Sequence, residues 1–392
     1  MASNKDFRNE ISQGLKAQFH LCDLHVHSPA STDFGQAKET KLSPPEHEAQ
    51  ISKYDYPVDK YFEELVEHLA KTDHPQAMSK RDQWGIVGIT DHNVFRYAAE
   101  LSEYAWDNLK DNQLIVLPGV ELEVIFSLPS SDEKIAVHLL LLFPPKTSSG
   151  SIEAAIQIAC NRGWTYGSPL GIDNLTSFVR TLRSKKCGAM VVAAHVASSK
   201  GVQASSKDIL FEKWTKENSE LARILGEIDA DQIEEDQEKK LPNEELSQLE
   251  QKRDDLQAAI ANEVQLEVLK LIGKCGFDAL QVTSLEAGKH YSRLHRFKKN
   301  VGRAVPIICS DAHSVADVFN RDGMLPFIKL HTLSHKMRPE DLFHDIRDRG
   351  LRFGETRFRT HLPPAPSLWI SGIEILGSST FRVELTEIEE FG

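Results

Sequence analysis

Histidines and carboxylates recur in this 392-residue chain at the ends of apolar runs, where a fold can gather them. Asp23, His25 and His27 form D-L-H-V-H at the end of the first run. Residues i and i+2 of an extended strand face the same side, so both imidazoles can point at one ion. Asp33 follows in a Ser-rich loop, and the second run ends in Thr90-Asp91-His92. The third carries Glu121 in Gly119-Val120-Glu121-Leu122-Glu123, the fourth contains His138, and the fifth ends in Ala194-His195. The last ends in Ser310-Asp311-Ala312-His313. A single His at such a place is usually a structural residue satisfied by a hydrogen bond. Six of seven candidate strands carrying a ligand-type side chain by the same rule point instead to a shared site.

Neutral imidazole with carboxylate suits Zn²⁺, Mn²⁺ or Fe²⁺. The set exceeds what one tetrahedral ion can use, so two or three divalent ions are expected. A shared carboxylate holds two ions about 3.5–4 Å apart, the spacing of two-metal phosphoester chemistry. Such a pair polarises phosphoryl oxygens, lowers the pKa of a bound water and steadies the leaving oxygen. No protein nucleophile is then required, which agrees with the absence of an obvious Ser or Cys nucleophile motif.

The elements that must position these groups are seven short β-rich runs: Phe19–Val26, Gly85–Thr90, Leu114–Leu122, Val137–Phe143, Met190–Ala194, Ala279–Val282 and Pro306–Cys309. Several are nearly continuous in Val, Ile, Leu and Ala, as strands of a buried parallel sheet are. Amphipathic stretches such as Tyr61–Lys71, Tyr97–Leu109 and Ser151–Asn161 separate them, which predicts an α/β barrel or doubly wound sheet. In a parallel barrel the strand C-termini share one face, and active sites sit there.

From 205 to 272 the pattern is interrupted. Leu210, Trp214, Leu221, Leu225 and Ile228 repeat at helical spacing, as do Leu246, Leu249, Leu256 and Ile260 after a break at Leu241–Pro242. This predicts a charged helical hairpin inserted in the domain and projecting from it, by default a solvated element without chemistry. Pro363, Pro364 and Pro366 mark a linker at the end of a main domain spanning 1–362. The extension 363–392 then reads as a strand pair, Leu368–Ile375 and Thr380–Thr386. There is no internal repeat and no GxxxxGK[ST] phosphate loop.

With 40% hydrophobic and 27% charged residues this is the composition of a soluble globular protein. No run approaches the ~20 apolar residues of a membrane span, so no membrane partner is expected. The N-terminus lacks the apolar core of a signal peptide, and a cytoplasmic location follows as the expectation. Five cysteines without CxxC spacing predict buried thiols in a reducing compartment, with neither disulfides nor a Cys-type zinc site. The net charge of −12 is mostly local. Between Glu227 and Asp255, twelve acidic and four basic residues give −8, leaving −4 for the rest. A nucleic-acid partner is therefore not excluded.

At the His, Asp and Glu motifs the sequence resembles the PHP (polymerase and histidinol phosphatase) family. The resemblance runs from Phe19 to Val318, interrupted by the helical insertion. It implies a distorted seven-stranded β/α barrel holding up to three metals. His25, His27, Glu121 and Asp311 would surround the first ion. Glu121, His138 and His195 would hold the second, with Glu121 bridging. Asp33, His92 and His313 would hold the third, and Asp33 stands where some relatives have His, which implies a weaker site or one that prefers a harder ion. Glu121, His195, Asp311 and His313 are then the candidate catalytic residues, and Asp23 and Asp91 candidate orienting groups, or caps and turn carboxylates. A weaker resemblance covers the whole chain. A PHP domain, a helical insertion and W-I-x-x-I-E-I look like bacterial proteins that fuse PHP to an ABC/SMC-like ATPase, the TrlF-like group, some implicated in defence against phage. That implies an ATPase domain or partner reached through the C-terminal extension, or a stand-alone relative.

Lys289-His290-Tyr291-Ser292-Arg293-Leu294-His295-Arg296 and Lys298-Lys299 follow the sixth run and mix cations with an aromatic ring, a composition that suits DNA or RNA. The same residues also make an ordinary solvated helix face. Arg352, Arg357 and Phe358 are a poorer case. Arg96, Lys200 and Arg321 lie a few residues past ligands and are candidate phosphate clamps, although such residues more often make surface salt bridges. Three functions stay open: a metal-dependent nuclease, a phosphatase for a small metabolite or nucleotide, and a non-catalytic scaffold. The complete ligand set argues against the last.

Overall fold

Runs of Val, Ile and Leu become central strands because both faces of a covered sheet are dry. Seven strands form where such runs occur: β1 Ala17–Val26, β2 Gly85–Ile89, β3 Leu114–Ser127, β4 Lys134–Leu142, β6 Met190–Ala193, β7 Ala279–Gln281 and β8 Val305–Ile307. The computed structural model describes residues 17–35, 42–72, 84–128, 133–161, 163–198, 200–233, 243–282, 304–320, 327–331, 333, 336–347, 358–359, 369–376 and 382–389. The remaining strands of the main sheet are β5 Leu170–Gly171, β9 Phe327–His331 and β10 Phe358–Arg359. The order is β10-β9-β1-β2-β3-β4-β6-β7-β8, with β5 on the edge of β3. The sheet curls until the segment after β8 meets the end of β1. There Val26 bridges Ala312 in parallel, and His27 N–H donates to the Ala312 carbonyl at 2.8 Å.

The expectation of an all-parallel barrel is corrected in one place. β4 runs antiparallel to both β3 and β6. Its link to β3 is a short reversal between Ser127 and Lys134, too short for the crossover helix that a parallel neighbour needs. Three further strands lie beyond the seven foreseen: β5 beside β3, β9 antiparallel to β1, and β10 antiparallel to β9.

Helices cover the outside: α1 Pro44–Gln50, α2 Val58–Lys71, α3 Arg96–Asp107, α4 Ser149–Ala159, α5 Leu175–Leu182, α6 Val202–Glu217, α7 Ser219–Ile233, α8 Asn243–Cys275 and α9 Pro339–His344. Tyr61, Phe62, Leu65 and Leu69 repeat every three to four residues on α2, and Tyr97, Ala98, Leu101 and Ala105 on α3. These faces bury against Leu21, Val87, Ile89, Leu114 and Val116 on the sheet. The inward faces of the strands meet separately, with Cys22, Leu24, Ile86, Ile115, Leu117, Leu140, Leu142, Val192 and Ile307 in one cluster. Each such Leu or Ile contributes about 1.5–3 kcal/mol by leaving water. Close packing shows at Gly119, where an added Cβ would stand 2.5 Å from the Leu141 carbonyl oxygen. A side chain there would push β3 off β4.

The stretch read as a projecting hairpin is instead three helices, α6 to α8. Val202, Leu210, Leu221, Ile260, Val264, Val268 and Ile272 join the cluster that also takes Val137, Leu139 and Val191 from the sheet. Its charged residues hid this, because one apolar stripe suffices to dock a helix whose other faces are solvated. The strand pair near the C-terminus forms as an antiparallel ladder of β11 Trp369–Leu376 with β12 Arg382–Glu389. Pro363, Pro364 and Pro366 lie outside the described residues. No helix among the described residues is long and apolar enough to cross a membrane. Cys22, Cys275 and Cys309 are buried free thiols, and Cys160 and Cys187 are partly buried and free.

Candidate metal centre

A bulge in β1 sets the first two donors. Asp23 pairs with Val87 and Val26 with Ile89, so β1 carries one extra residue against β2. Cys22 and Leu24 face the inner cluster, while Val26 packs outside with Leu21. The alternation flips between them, and His25 and His27 both turn inward. Parity along β3 places Glu121 inside with Ile115 and Leu117, and parity along β4 places His138 inside with Leu140 and Leu142. The ends of β6 and β8 need a sharper device. His195 (φ +43°) and Asp311 (φ +58°) are left-handed, as is Asn93 (φ +58°) just after His92. Such conformations cost a non-glycine residue about 1–3 kcal/mol and persist where the surroundings impose them. Here they swing side chains into the mouth of the sheet.

Glu121 lies at the centre and is wholly buried. Five imidazoles crowd it. His25 Nε2 is 3.0 Å and His27 Nε2 3.3 Å from Oε2, with His92 Nδ1 at 3.2 Å. His138 Nδ1 is 2.5 Å and His195 Nε2 3.5 Å from Oε1. Asp311 Oδ1 stands 3.3 Å from His25 Nε2 and 3.5 Å from His27 Nε2, and its Oδ2 stands 3.7 Å from His195. At the outer rim Asp33 Oδ2 is 3.0 Å from His92 Nε2 and 2.9 Å from His313 Nε2.

Four groupings have donor atoms within 4.8 Å of one another: His27, Asp33, His92 and His313; His25, Glu121 and His195; His25, His27 and Asp311; and His92, Glu121 and His138. All nine expected donors are thus brought together. Their partition differs from the one the resemblance implied: His195 falls with His25, and His92 serves both the rim and Glu121.

The donor set fits cations. His25 Nδ1 is 2.8 Å from Gln281 Oε1, which fixes the proton on Nδ1 and leaves the Nε2 lone pair inward. His313 Nδ1 likewise donates to the Asp311 carbonyl at 2.9 Å. His25 Nε2 and His27 Nε2 then face each other at 3.2 Å. With the His25 lone pair turned inward, a contact this short calls for a proton on His27 Nε2 or a cation beside both nitrogens. Burial alone would lower His25 and His27, but Glu121 and Asp311 beside both, with Asp33 also near His27, hold both imidazoles above their ordinary range. Burial would raise Glu121, Asp33 and Asp311, yet the surrounding imidazoles hold all three carboxyls low. The cluster is poised to hold positive charge, as protons or as metal.

Of the two roles open to Asp23 and Asp91, orienting group or turn carboxylate, their hydrogen bonds match the second. Asp23 accepts from the Ser310 N–H at 3.1 Å and the Phe319 N–H at 2.9 Å, tying β1 to the loop that carries Asp311. Asp91 accepts from the N–H and hydroxyl of Ser28 at 2.6 and 2.7 Å, fixing the turn after His27. Burial pushes its carboxyl up to about 7, against the pull of His27 and Ser28.

Arg96 is exposed and stacks on Tyr166, its guanidinium 4.4 Å from the ring centre. Tyr166 receives the Phe95 and Arg96 N–H groups at 2.9 and 3.2 Å and gives its hydroxyl proton to Glu48, so this corner caps α3. Lys200 pairs with Glu123 at 3.0 Å. Lys289, Arg293, Arg321, Arg352 and Arg357 lie outside the described residues. Three contributors escaped the sequence reading: Gln281, Glu123 and Ser31, whose hydroxyl reaches Asp33 at 2.5 Å and His27 Nδ1 at 3.3 Å. The signals existed. Gln281 is the one polar residue in the run Ala279–Val282, and Glu123 shares a strand face with Glu121.

No family model and no curated protein matches this chain. Among solved structures it is similar to Endonuclease Q in complex with a 27-mer duplex carrying an abasic lesion at the active site. The TM-score is 0.37 at 12% identity, covering 85% of this chain and 57% of that one. It is also similar to the lesion-specific endonuclease of Pyrococcus furiosus, with TM-score 0.35 at 11% identity, covering 85% of this chain and 56% of that one. This chain therefore spans little more than half the length of either. Similarity this low says nothing of the reaction.

Proposed function

We propose that this chain is a metal-dependent phosphoesterase of PHP type that hydrolyses phosphodiester bonds of nucleic acid. The carrying observation is the buried carboxylate of Glu121 with five imidazoles and Asp311 around it. His25, His27, His92, His138, His195, Asp33, Asp311 and His313 would hold two or three divalent ions about that carboxylate. Bound there, such ions supply Lewis acidity toward a phosphoryl oxygen and toward water.

The residues divide the remaining work. Glu121 presents Oε2 to His25, His27 and His92 and Oε1 to His138 and His195, so its carboxylate sets the distance between these two groups of imidazoles. Gln281 and the Asp311 carbonyl set the tautomers of His25 and His313. Ser31 holds Asp33 against the rim. Asp33 and His313 stand nearest to solvent and are the groups a substrate meets first, with side chains 39% and 36% exposed. A thiol nucleophile has no support at the site, since burial holds the Cys22 and Cys309 thiols well above their usual range. Water is the nucleophile that fits.

The choice of a polymeric substrate is supported by where the basic segment begins. The chain leaves β7 just after Gln281, whose amide oxygen touches His25, and the run Lys289–Lys299 follows. In sequence this run joins cations to an aromatic ring, a composition that suits a polyanion. The test is to incubate metal-loaded protein with end-labelled single- and double-stranded DNA and RNA, and separately with phosphomonoesters. Shortened polymers that disappear in Glu121→Ala support the nuclease. Phosphate release without shortening assigns the monoesterase, and neither activity with any divalent ion assigns a scaffold.

A further inference from the structure

Glu123 stands two residues after Glu121 on β3, so the two carboxylates project from one face of the strand. Its register partner across the antiparallel ladder is His138. The His138 ring lies between the two acids. Nδ1 is 2.5 Å from Glu121 Oε1, and Nε2 is 3.3 Å from Glu123 Oε2. The same Glu123 oxygen takes Lys200 Nζ at 3.0 Å. Lys200 is joined to His138 a second time, because its carbonyl accepts the His138 N–H at 2.9 Å.

The loop that delivers Lys200 is built tightly. It opens at His195 (φ +43°) and reaches Lys200 (φ +62°), both left-handed. Gly201 follows with no room for a side chain, since a Cβ would fall 1.9 Å from the His195 carbonyl oxygen. One strained loop therefore places His195 beside Glu121 and Lys200 beside Glu123.

A neutral imidazole has one N–H to give. The two acids that compete for it are not equivalent. Glu121 faces five imidazoles and shares a possible metal grouping with His92 and His138, whereas Glu123 belongs to none of the groupings among the described residues. Glu123 is at the edge, and its other partner is an ammonium group. We propose that Glu123 is a positioning residue: it holds the Nε2–H of His138, with Lys200 steadying the carboxylate, so that Nδ1 is the ligating nitrogen. This rests on the metal-centre reading above.

The test uses the full chain with ¹⁵N-histidine, titrated with zinc and followed by NMR, with His138→Ala to assign the resonance. Zinc on Nδ1 and a proton on Nε2 of His138 is the expected pattern. Glu123→Ala should weaken zinc at the His138 position by about 10–100-fold in a chelator competition. Glu123→Gln, whose amide oxygen still accepts the N–H, should recover most of that loss. Thermal melts of each variant separate misfolding from ligation. Zinc on Nε2 of His138, or Glu123→Ala binding zinc like the parent, overturns the proposal alone. Absence of zinc signals on His25, His27 and His313 as well removes the metal-centre reading and this inference with it.

Discussion

The inner and outer halves of the centre are built differently. His25, Glu121 and His138 come from strands, and their side chains are at most 8% exposed. Asp33, His92 and His313 follow strand ends or sit in loops, with side chains 29–39% exposed. A donor on a paired strand is held by a ladder on either side, whereas a loop donor is held by one or two local bonds. The inner half should bind its ion tightly and keep it. The outer half should exchange its ion and meet the substrate.

Substituting Glu121 tests the inner half and should have the largest effect. Glu121→Ala removes the carboxylate from between five imidazoles. Phosphodiester cleavage should fall by at least about 10³-fold, and metal analysis should show the inner ion gone. Cleavage near the parent rate would mean that this half does not do the chemistry.

Asp33→Ala tests the rim. It should lower activity by about 10–100-fold while elemental analysis still finds the inner ion. The missing function should return in part at high Mn²⁺ concentration. If this variant instead loses every ion, the two halves are one cooperative site and the contrast fails.

Protons compete with metal at the buried end. His25 and His27 have folded values above the unfolded one, so without metal their contribution to stability is fully present below about pH 6.5 and lost as pH rises through the folded values. Asp33, Asp311 and Glu121 are shifted down; their contribution is present above about pH 4 and lost as pH falls through their folded values. The metal-free chain should therefore weaken as pH rises from 6 to 8, and Mn²⁺ should raise its melting temperature by more at pH 8 than at pH 6. An equal shift at both, read by differential scanning fluorimetry, would contradict the competition.

The smallest effect concerns the loop from His195 to Gly201. Gly201→Ala cannot keep the present backbone, and a relaxed loop should cost about 1–3 kcal/mol. The melting temperature should drop, and activity should fall less than in Glu121→Ala. A variant as stable as its parent would show that the loop is looser than its close contact with the His195 carbonyl indicates.

Much of this centre was legible in the sequence because burial and ligation both leave marks on residue type. Buried strands are near-continuous in aliphatic residues, so Ile86, Val87, Val191 and Val192 announced their runs. Ligand-type residues at their ends then stood out against that background. Strand direction left no such mark: Val137–Leu142 reads the same whether β4 is parallel or antiparallel, and only the short link from Ser127 hinted at reversal. Gln281 and Glu123 were missed because each carries an ordinary polar group whose value depends on the ring opposite, and pairing across strands is not written in either strand alone. The α8 helix was misread because its docking stripe, Ile260, Val264, Val268 and Ile272, is outnumbered by solvated charges along 33 residues.

The most direct measurement is anomalous diffraction from crystals of the full chain grown with Mn²⁺ or Zn²⁺. Anomalous peaks should lie about 2.0–2.2 Å from a Glu121 carboxylate oxygen and from His25 Nε2, with a weaker peak by Asp33 and His313. Well-ordered side chains at these positions with no anomalous density, at saturating metal, would contradict a metal centre built on Glu121.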